Sequence, residues 1–356
     1  MSKFKIAIIT GTILIIVGIV GVIPSGLNMT KEVFTDINSA RNEKVSTENY
    51  VTLYEEEKEI ENIKVVSDSG VYDTLNVEIK KSNDNKFSIK KHQGWITDID
   101  INSNYDESSK TISININSKR DVLKFYRENK GVLENIYDET IYALANNRKV
   151  VNGVIEIYVP NSVNIDVESN RNIFLKVADE EVLGDNLDYN SNMGGISLPK
   201  FNKCKNISIN SNDYVELDVR EFINAEKVNI SGSYVDINSH GGYLEYDGLN
   251  KFPEEINIIT EYLSVDSYIQ LANKIVLDVG HSLNIEMPFD EYNVFADINA
   301  KSDNVYLSGV NGAVIGGKFT GELSNGANGR IELIVKSCYY GEIENVSRSN
   351  LNFDMD

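Results

Sequence analysis

The side chains best able to do chemistry are three histidines, His92, His240 and His281, and their spacing matches no known site. They form no H-x-x-x-H pair, and no cysteine lies near enough in sequence to complete a zinc site with them. The prediction for each is therefore a structural role. His240 begins the segment HGGYLEYDG, so it would be the first histidine to mutate if an activity were found.

The common catalytic motifs are also absent from the sequence. There is no G-x-S-x-G elbow, no phosphate loop and no dinucleotide fingerprint. The glycines of GVNGAVIGG (309–317) have the wrong spacing and lie between strand patterns, so we interpret them as tight corners. The protein is predicted not to be an enzyme, with no catalytic, cofactor-binding or metal-binding residue.

Acidic residues dominate the charge, with 54 Asp and Glu against 34 Lys and Arg and a net charge of −20. No basic run is long enough to bind a polyanion, so nucleic acid is not expected as a partner. Acid pairs at glycosidase separations would arise by chance at this density. The clusters at 102–108 (NSNYDES) and 210–213 (NSND) match no established calcium loop, so no metal is predicted there.

Two other residue types leave alternatives open. Cys204 and Cys338 are far apart and in no metal-binding spacing, so they form either one disulfide or, as we expect, two separately buried thiols. The 19 tyrosines and Trp95 could form a sugar-stacking surface, or most of them could be half-buried at corners.

An apolar segment near the amino terminus predicts a membrane anchor. Residues 6–23 are 18 residues without a charge, followed by Pro24, and as a helix they would span about 27 Å. Lys3 and Lys5 precede them, which predicts a cytoplasmic tail and an extracytoplasmic remainder of a single-pass protein of the cell membrane. The alternative is a cleaved signal peptide, but no A-x-A-like site follows the segment. The lipid bilayer is thus an expected partner of residues 6–23.

Changes of pattern divide the chain into five segments. Polar residues follow the anchor, then runs such as IENIKVVS and TISININS alternate with period two and predict strands. Val122, Phe125 and Tyr126 begin a stretch of helical spacing, after which strand patterns resume. The predicted segments are a tail and anchor (1–24), a tether (25–59), an N-terminal strand region (60–118), a helical insert (119–149) and a repeat region (150–356).

The repeat region contains near-copies of one short strand pattern. YVELDV, YVDINS, YLSVDS and SLNIEM begin at residues 214, 234, 262 and 282, in steps of 20, 28 and 20. A second series, ISIN, VNIS, INII, IVLD and VFAD, precedes them and makes its one long step, also of 28, at the same place. The segment 240–253 therefore looks like a loop inserted into an otherwise regular repeat.

A strand-only repeat of about 20 residues fits one coil of a β-solenoid. We therefore predict an all-β fold, a β-helix-like solenoid with a small helical insert and a preceding transmembrane helix. Val215, Val235, Leu263 and Leu283 are expected to stack in one buried column. The alternative is a β-sandwich of short strands.

The order of these patterns resembles a known family. An anchor helix, the strands IENIKVVS and LNVEIKKSNDNKFSIK, and then VIEIYVPNSVNIDVESNRNIFL are similar to the bacterial putative-adhesin domains of unknown function, over about residues 60–350. The resemblance implies an extracytoplasmic β-solenoid and transfers no catalytic residue. The helical insert, and SNRNI at 169–173 in place of a glycine-aspartate turn, depart from the family pattern.

Three functions remain as hypotheses. The first is a non-enzymatic, membrane-tethered adhesin or envelope scaffold that binds an unknown envelope protein or cell-surface polysaccharide. The second is an accessory role in envelope-stress signalling. The third, which rests only on scaffold analogy, is a polysaccharide lyase or hydrolase.

Overall fold

The computed structural model describes residues 50–67, 74–92, 99–118, 154–239 and 252–346, and the described part is all-β. No helix in these ranges is long and apolar enough to cross a membrane. The predicted anchor (6–23) and helical insert (119–149) and most of the predicted loop (240–253) lie outside the described residues. The strands are β1 (Tyr50–Glu56), β2 (Asn62–Ser67), β3 (Thr74–Lys81), β4 (Phe87–His92), β5 (Ile99–Asp106), β6 (Thr111–Ser118), β7 (Val154–Val159), β8 (Val163–Val177), β9 (Leu183–Met193), β10 (Ile196–Ser197), β11 (Asn206–Ser211), β12 (Tyr214–Asp218), β13 (Lys227–Asn238), β14 (Glu255–Asp266), β15 (Lys274–Met287), β16 (Asn293–Asn299), β17 (Asn304–Ser308), β18 (Lys318–Asn325), β19 (Arg330–Ser337) and β20 (Tyr340–Asn345).

The strands pair in two ladders of backbone hydrogen bonds, which we call ladder A and ladder B. Ladder A is parallel except at its ends, where β5 pairs with β6, and β16 with β18, in the antiparallel sense. Its spatial order is β5, β6, β2, β8, β9, β11, β13, β14, β15, β19, β16 and β18. Because β2 pairs directly with β8, strands of the predicted 60–118 and 150–356 segments share this ladder.

Ladder B has two parts. The first runs β1, β4, β7, β3, β8 and β10, and its β1–β4 and β4–β7 pairs are antiparallel. The second runs β12, β13, β14, β15, β20 and β17 and is parallel throughout. The long strands β8, β13, β14 and β15 place their first halves in ladder A and their second halves in ladder B.

Alternate side chains of both ladders point into one apolar core, because successive residues of a strand face opposite sides. In ladder B the expected column is confirmed: Val215 pairs with Val235, Val235 with Leu263 and Leu263 with Leu283, and none is more than 3% exposed. Each such side chain contributes about 1.5–3 kcal/mol on burial. The matching column of ladder A consists of Ile112, Ile63, Ile165, Leu187, Ile207, Val228, Ile256, Ile275, Leu333 and Ala296.

The strand register on the two sides of the 28-residue step is also as expected. Val228 pairs with Ile256 and Tyr234 with Tyr262, although each pair is 28 residues apart in sequence. The extra residues therefore lie between β13 and β14 and leave both strands in register with their neighbours.

The order of repeats at the carboxyl end differs from the prediction. Repeats stacked in the order of the chain would place β16, which contains VFAD, and β17 directly after β15. Instead β19 and β20 lie between them: Leu333 pairs with both Ile275 and Ala296, and Gly341 with both Leu283 and Val305. The antiparallel strand β18 occupies the far edge of β16, which leaves only its near edge for β19. The spacing of strand patterns along the chain gives the length of a repeat, but it does not show which two repeats are neighbours in space.

The predicted tether requires a correction at its end. Tyr50–Glu56 was assigned to the tether 25–59 but forms β1, an antiparallel strand on β4. The ring of Tyr54 packs edge-on against Phe87, with centroids 5.8 Å apart, and Glu55 accepts a 2.9 Å hydrogen bond from Lys86. The sequence left the acidic run EEEKEIE (55–61) as either a solvated linker or a first edge strand, and its first two residues lie in an edge strand, where charged side chains are common.

The glycines of 309–317 are confirmed as tight corners. Gly309, Gly312, Gly316 and Gly317 have φ values of 67°, 97°, 62° and 72°, a region that residues with a Cβ rarely adopt. Gly316 and Gly317 connect Ile315 to Lys318 as a two-residue hairpin, which requires positive φ at both positions.

Both cysteines are free and buried, so the expectation of two separate thiols is confirmed. Burial raises the pKa of Cys204 to about 12 and that of Cys338 to about 11. Such thiols behave as small apolar side chains and are poor nucleophiles.

Candidate binding surface on ladder B

An exposed line of aromatic rings crosses the outer side of ladder B. We call it the tyrosine ridge, and it consists of Tyr214, Tyr234, Tyr262, His281 and Tyr339. The three leading tyrosines each precede a buried residue of the inner column, so strand alternation points them to solvent. A one-residue register shift between β14 and β15 then brings His281 into the line.

The rings of the ridge stack on one another across neighbouring strands. Successive centroids are 5.1, 6.3, 5.4 and 6.1 Å apart, with interplanar angles of 34°, 21°, 22° and 28°. Each inner ring therefore has a neighbour on both faces. What the ridge offers to solvent is ring edges and phenol groups, and the exposed fractions of Tyr214, Tyr234, Tyr262 and Tyr339 are 41%, 38%, 42% and 47%.

Polar contacts fix the two ends of the ridge. At one end the hydroxyl of Tyr214 donates a 2.9 Å hydrogen bond to Oδ2 of Asp236. Burial raises the pKa of Tyr214, and the hydrogen bond and charge of Asp236 raise it further. At the other end Nζ of Lys301 lies 5.1 Å from the ring centroid of Tyr339, a cation–π contact.

Two rows of outward-facing residues run beside the ridge, and we call the ridge and these rows together the ladder B face. The first row is Glu216, Asp236, Ser264, Asn284, Glu342 and Tyr306. The second row is Asp218, Asn238, Asp266, Glu286, Glu344 and Ser308. Neither row contains a lysine or an arginine. Asp218 pairs with the guanidinium of Arg220, but among the described residues Glu216, Asp236 and Glu342 form no ion pair with a lysine or arginine. The face therefore combines aromatic edges with negative charge that is only partly balanced.

Stability measurements on ring variants will separate stacking from hydroxyl contributions. Tyr262→Ala removes the ring contacts with Tyr234 and His281 and is expected to cost about 1–2 kcal/mol, whereas Tyr262→Phe keeps the stack and should cost under about 0.5 kcal/mol. Tyr306→Ala is the control, because Tyr306 is also on ladder B and 64% exposed but stacks on no described ring. Urea unfolding gives the values, and equal losses for Tyr262→Ala and Tyr306→Ala would contradict a stabilising stack.

A second polar cluster lies on the first part of ladder B. Nζ of Lys80 donates to Oε1 of Glu156 at 2.7 Å and lies 2.8 Å from Glu78, which also pairs with Lys176 at 2.7 Å. The hydroxyl of Tyr158 donates to Oε2 of Glu156 at 2.7 Å. Burial raises the pKa of Tyr158 to about 12, and its bond to Glu156 adds to this. Both oxygens of Glu156 are thus occupied, which suits a structural ion-pair network better than a proton-transfer site.

A buried carboxyl group braces the corner after β12. Glu221 accepts hydrogen bonds from the backbone N–H of Leu198 at 2.9 Å and of Asp218 at 3.0 Å. It is 9% exposed, and burial raises its pKa to about 7, with the charge of Asp218 adding to the effect.

The raised pKa of Glu221 predicts a pH dependence of stability. The folded chain keeps this proton up to about pH 7, while the unfolded chain releases it near 4.5. The stabilisation is therefore complete below about 4.5 and falls by up to about 3 kcal/mol as pH rises to about 7. The difference in unfolding free energy between the wild type and Glu221→Gln should follow this curve, and a flat difference across the range would refute it.

Of the three histidines considered in the sequence, His281 lies on the surface, in the tyrosine ridge. The side chain of His92 and all of His240 lie outside the described residues. Within the described ranges no group of three potential metal ligands occurs. Sequence reasoning missed the ridge, although the signal was present, since tyrosine leads YVELDV, YVDINS and YLSVDS.

No protein-family model matches the sequence. No curated protein matches it either.

Three solved bacterial structures are similar to this chain at low identity. A putative adhesin from Bacteroides fragilis is 12% identical, with 84% of this chain and 98% of that chain covered and a TM-score of 0.33. A putative cell adhesion protein from Clostridium sporogenes is 11% identical, covering 82% and 96%, with a TM-score of 0.22. A putative adhesin from Parabacteroides merdae is 10% identical, covering 85% and 98%, with a TM-score of 0.24.

Proposed function

We propose that the protein is a non-enzymatic surface protein, an adhesin or envelope scaffold, held in the cell membrane by residues 6–23. Its extracytoplasmic part is a β-solenoid that displays the ladder B face. The observation that carries the proposal is the tyrosine ridge, because a line of half-exposed rings on a regular parallel ladder is a surface suited to contact.

The pairing pattern supports the solenoid. Strands β13, β14 and β15 each run from ladder A into ladder B, and each pairs in parallel with the next repeat in both ladders. The inner columns of both ladders belong to a single buried cluster. One chain segment per repeat that contributes to two ladders around one core is the arrangement expected of stacked coils.

The membrane location can be tested with the full chain expressed in a bacterium. The protein should sediment with membranes, and protease added to intact cells should degrade everything after Pro24. A variant without residues 1–24 should leave the membrane fraction. Protection from protease in intact cells, together with cleavage after lysis, would overturn the extracytoplasmic placement.

The binding role needs a separate test. Full-length protein in detergent should be retained on purified cell-wall material or envelope protein, and Tyr234→Ser should reduce retention. Phe174→Ser should not, because Phe174 is a similarly exposed ring on the first part of ladder B and lies outside the ladder B face. Absence of retention on every wall, matrix and envelope fraction would count against an adhesive or scaffolding role.

The second candidate is a polysaccharide hydrolase or lyase, whose acidic residues would be Glu78 and Glu156 beside the ammonium group of Lys80, although the geometry of this cluster suits a structural ion-pair network better. Incubation with cell-wall and capsular polysaccharides tests it. Release of reducing ends by the wild type but not by Glu156→Gln would support an enzyme, and no release from any polymer would exclude this site.

A further inference from the structure

The ladder B face carries charge that the protein itself does not neutralise. Glu216 and Glu342 are exposed and Asp236 is half-buried, and none forms an ion pair with a lysine or arginine of the described residues. Asp236 has the hydroxyl of Tyr214 as its partner. By contrast, Lys64 on ladder A lies 3.2 Å from Asp166 and 3.1 Å from Glu168.

The geometry of the ridge disfavours three kinds of partner. Sugar rings stack on aromatic faces, but the inner faces of this ridge are covered by neighbouring rings. An anionic polymer would be repelled by the two acidic rows. A second copy of the chain using the same face would bring like charges together, which costs several kcal/mol.

A basic polypeptide, by contrast, matches the negative charge and the exposed ring edges of the ladder B face. Alternate side chains of an extended peptide lie about 6.7 Å apart, which is also the spacing of Glu342 and Glu344 along β20. Arginine and lysine can donate hydrogen bonds to the carboxylates and to the phenol oxygens of the ridge, and arginine can pair with a carboxylate through two bonds. The exposed ring edges supply apolar contact beside these bonds.

We infer that the ladder B face binds an extended, lysine- and arginine-rich segment of a partner protein through Glu216, Asp236 and Glu342 and the tyrosine ridge. This inference rests on the proposed surface role and names the chemistry of its partner.

The test uses the full chain in detergent and a fluorescent arginine–serine repeat peptide, with binding followed by anisotropy. The wild type should bind, and salt should weaken the complex. The triple variant Glu216→Gln, Asp236→Asn, Glu342→Gln should bind about tenfold more weakly. A matched control removes the same charge from the outer side of ladder A and should change binding by less than about twofold. It is the triple variant Asp188→Asn, Glu332→Gln, Asp297→Asn.

Three results would overturn the inference. The first is no binding of the peptide by the wild type. The second is equal weakening by both triple variants, which would mean attraction to net charge and not to this face. The third is peptide binding that the ladder B triple leaves unchanged, which would place the contact outside this face. If the protein is still retained on envelope material in any of these cases, the surface role stands and only its partner chemistry is wrong.

Discussion

A chain that ends after Gly329 is expected to lose the ordered structure of β16, β17 and β18, and β15 is expected to lose its protection from hydrogen exchange. The reason is that β19 and β20 lie between β15 and the strands that precede them in sequence. The truncation removes the buried side chains Ile331, Leu333, Val335 and Ile343. At about 2 kcal/mol each, their loss of about 8 kcal/mol is comparable to the whole stability of a domain.

A point substitution provides a milder version of this experiment. Leu333→Ala should cost about 2–5 kcal/mol and should raise exchange in both β15 and β16. The neighbouring Ile334 faces outward, so Ile334→Ala is the matched control and should cost under about 1 kcal/mol. If the truncated chain kept full protection of β15, the observed order of strands would be wrong.

Gly194→Ala is the second change with a large expected effect. Gly194 has a φ of 134°, and a Cβ there would lie 2.0 Å from the carbonyl oxygen of Ile173. Backbone strain of about 1–3 kcal/mol would add to the cost of moving that carbonyl, which accepts a hydrogen bond from the hydroxyl of Tyr189. We expect a loss of about 3–5 kcal/mol in the free energy of unfolding.

Gly329 provides the control for conformation alone. Its φ is 124°, close to that of Gly194, but a Cβ at Gly329 would meet nothing within 4 Å. Gly329→Ala should therefore cost only the strain, about 1–3 kcal/mol. Urea denaturation of both variants measures the difference. Equal costs would show that the close approach to Ile173 does not constrain the chain.

The strands and inner columns could be predicted from the sequence because burial imposes a period of two. Val215, Val235, Leu263 and Leu283 each occupy the second position of a similar hexamer, and a one-residue error would have turned every one of them to solvent. The step of 28 did not disturb the prediction, since extra residues in a loop leave the register of the flanking strands unchanged.

The neighbours of the end strands could not be predicted in this way. RIELIVKS alternates as regularly as VFAD, so periodicity alone cannot say which of β19 and β16 lies against β15. That choice depends on β18, which folds back and pairs with β16. The edge strand Tyr50–Glu56 was missed for a related reason: it is exposed along most of its length and lacks a buried alternate position.

The candidate surface was only partly predictable. The tyrosines at the head of each hexamer could be seen in the sequence, but their stacking requires strands 28 residues apart to pair in register. His281 could not be found at all, because it enters the ridge through a register shift between Thr260 and Tyr262 that no local pattern indicates.

The position of β19 and β20 also has a consequence for biosynthesis. A ribosome delivers β16, β17 and β18 before the segment that must separate them from β15. Until β19 and β20 emerge, β15 has an open edge able to recruit strands from another nascent chain. Slow translation of the codons for β19 and β20 would prolong this interval, so chaperone demand should peak before these two strands are complete.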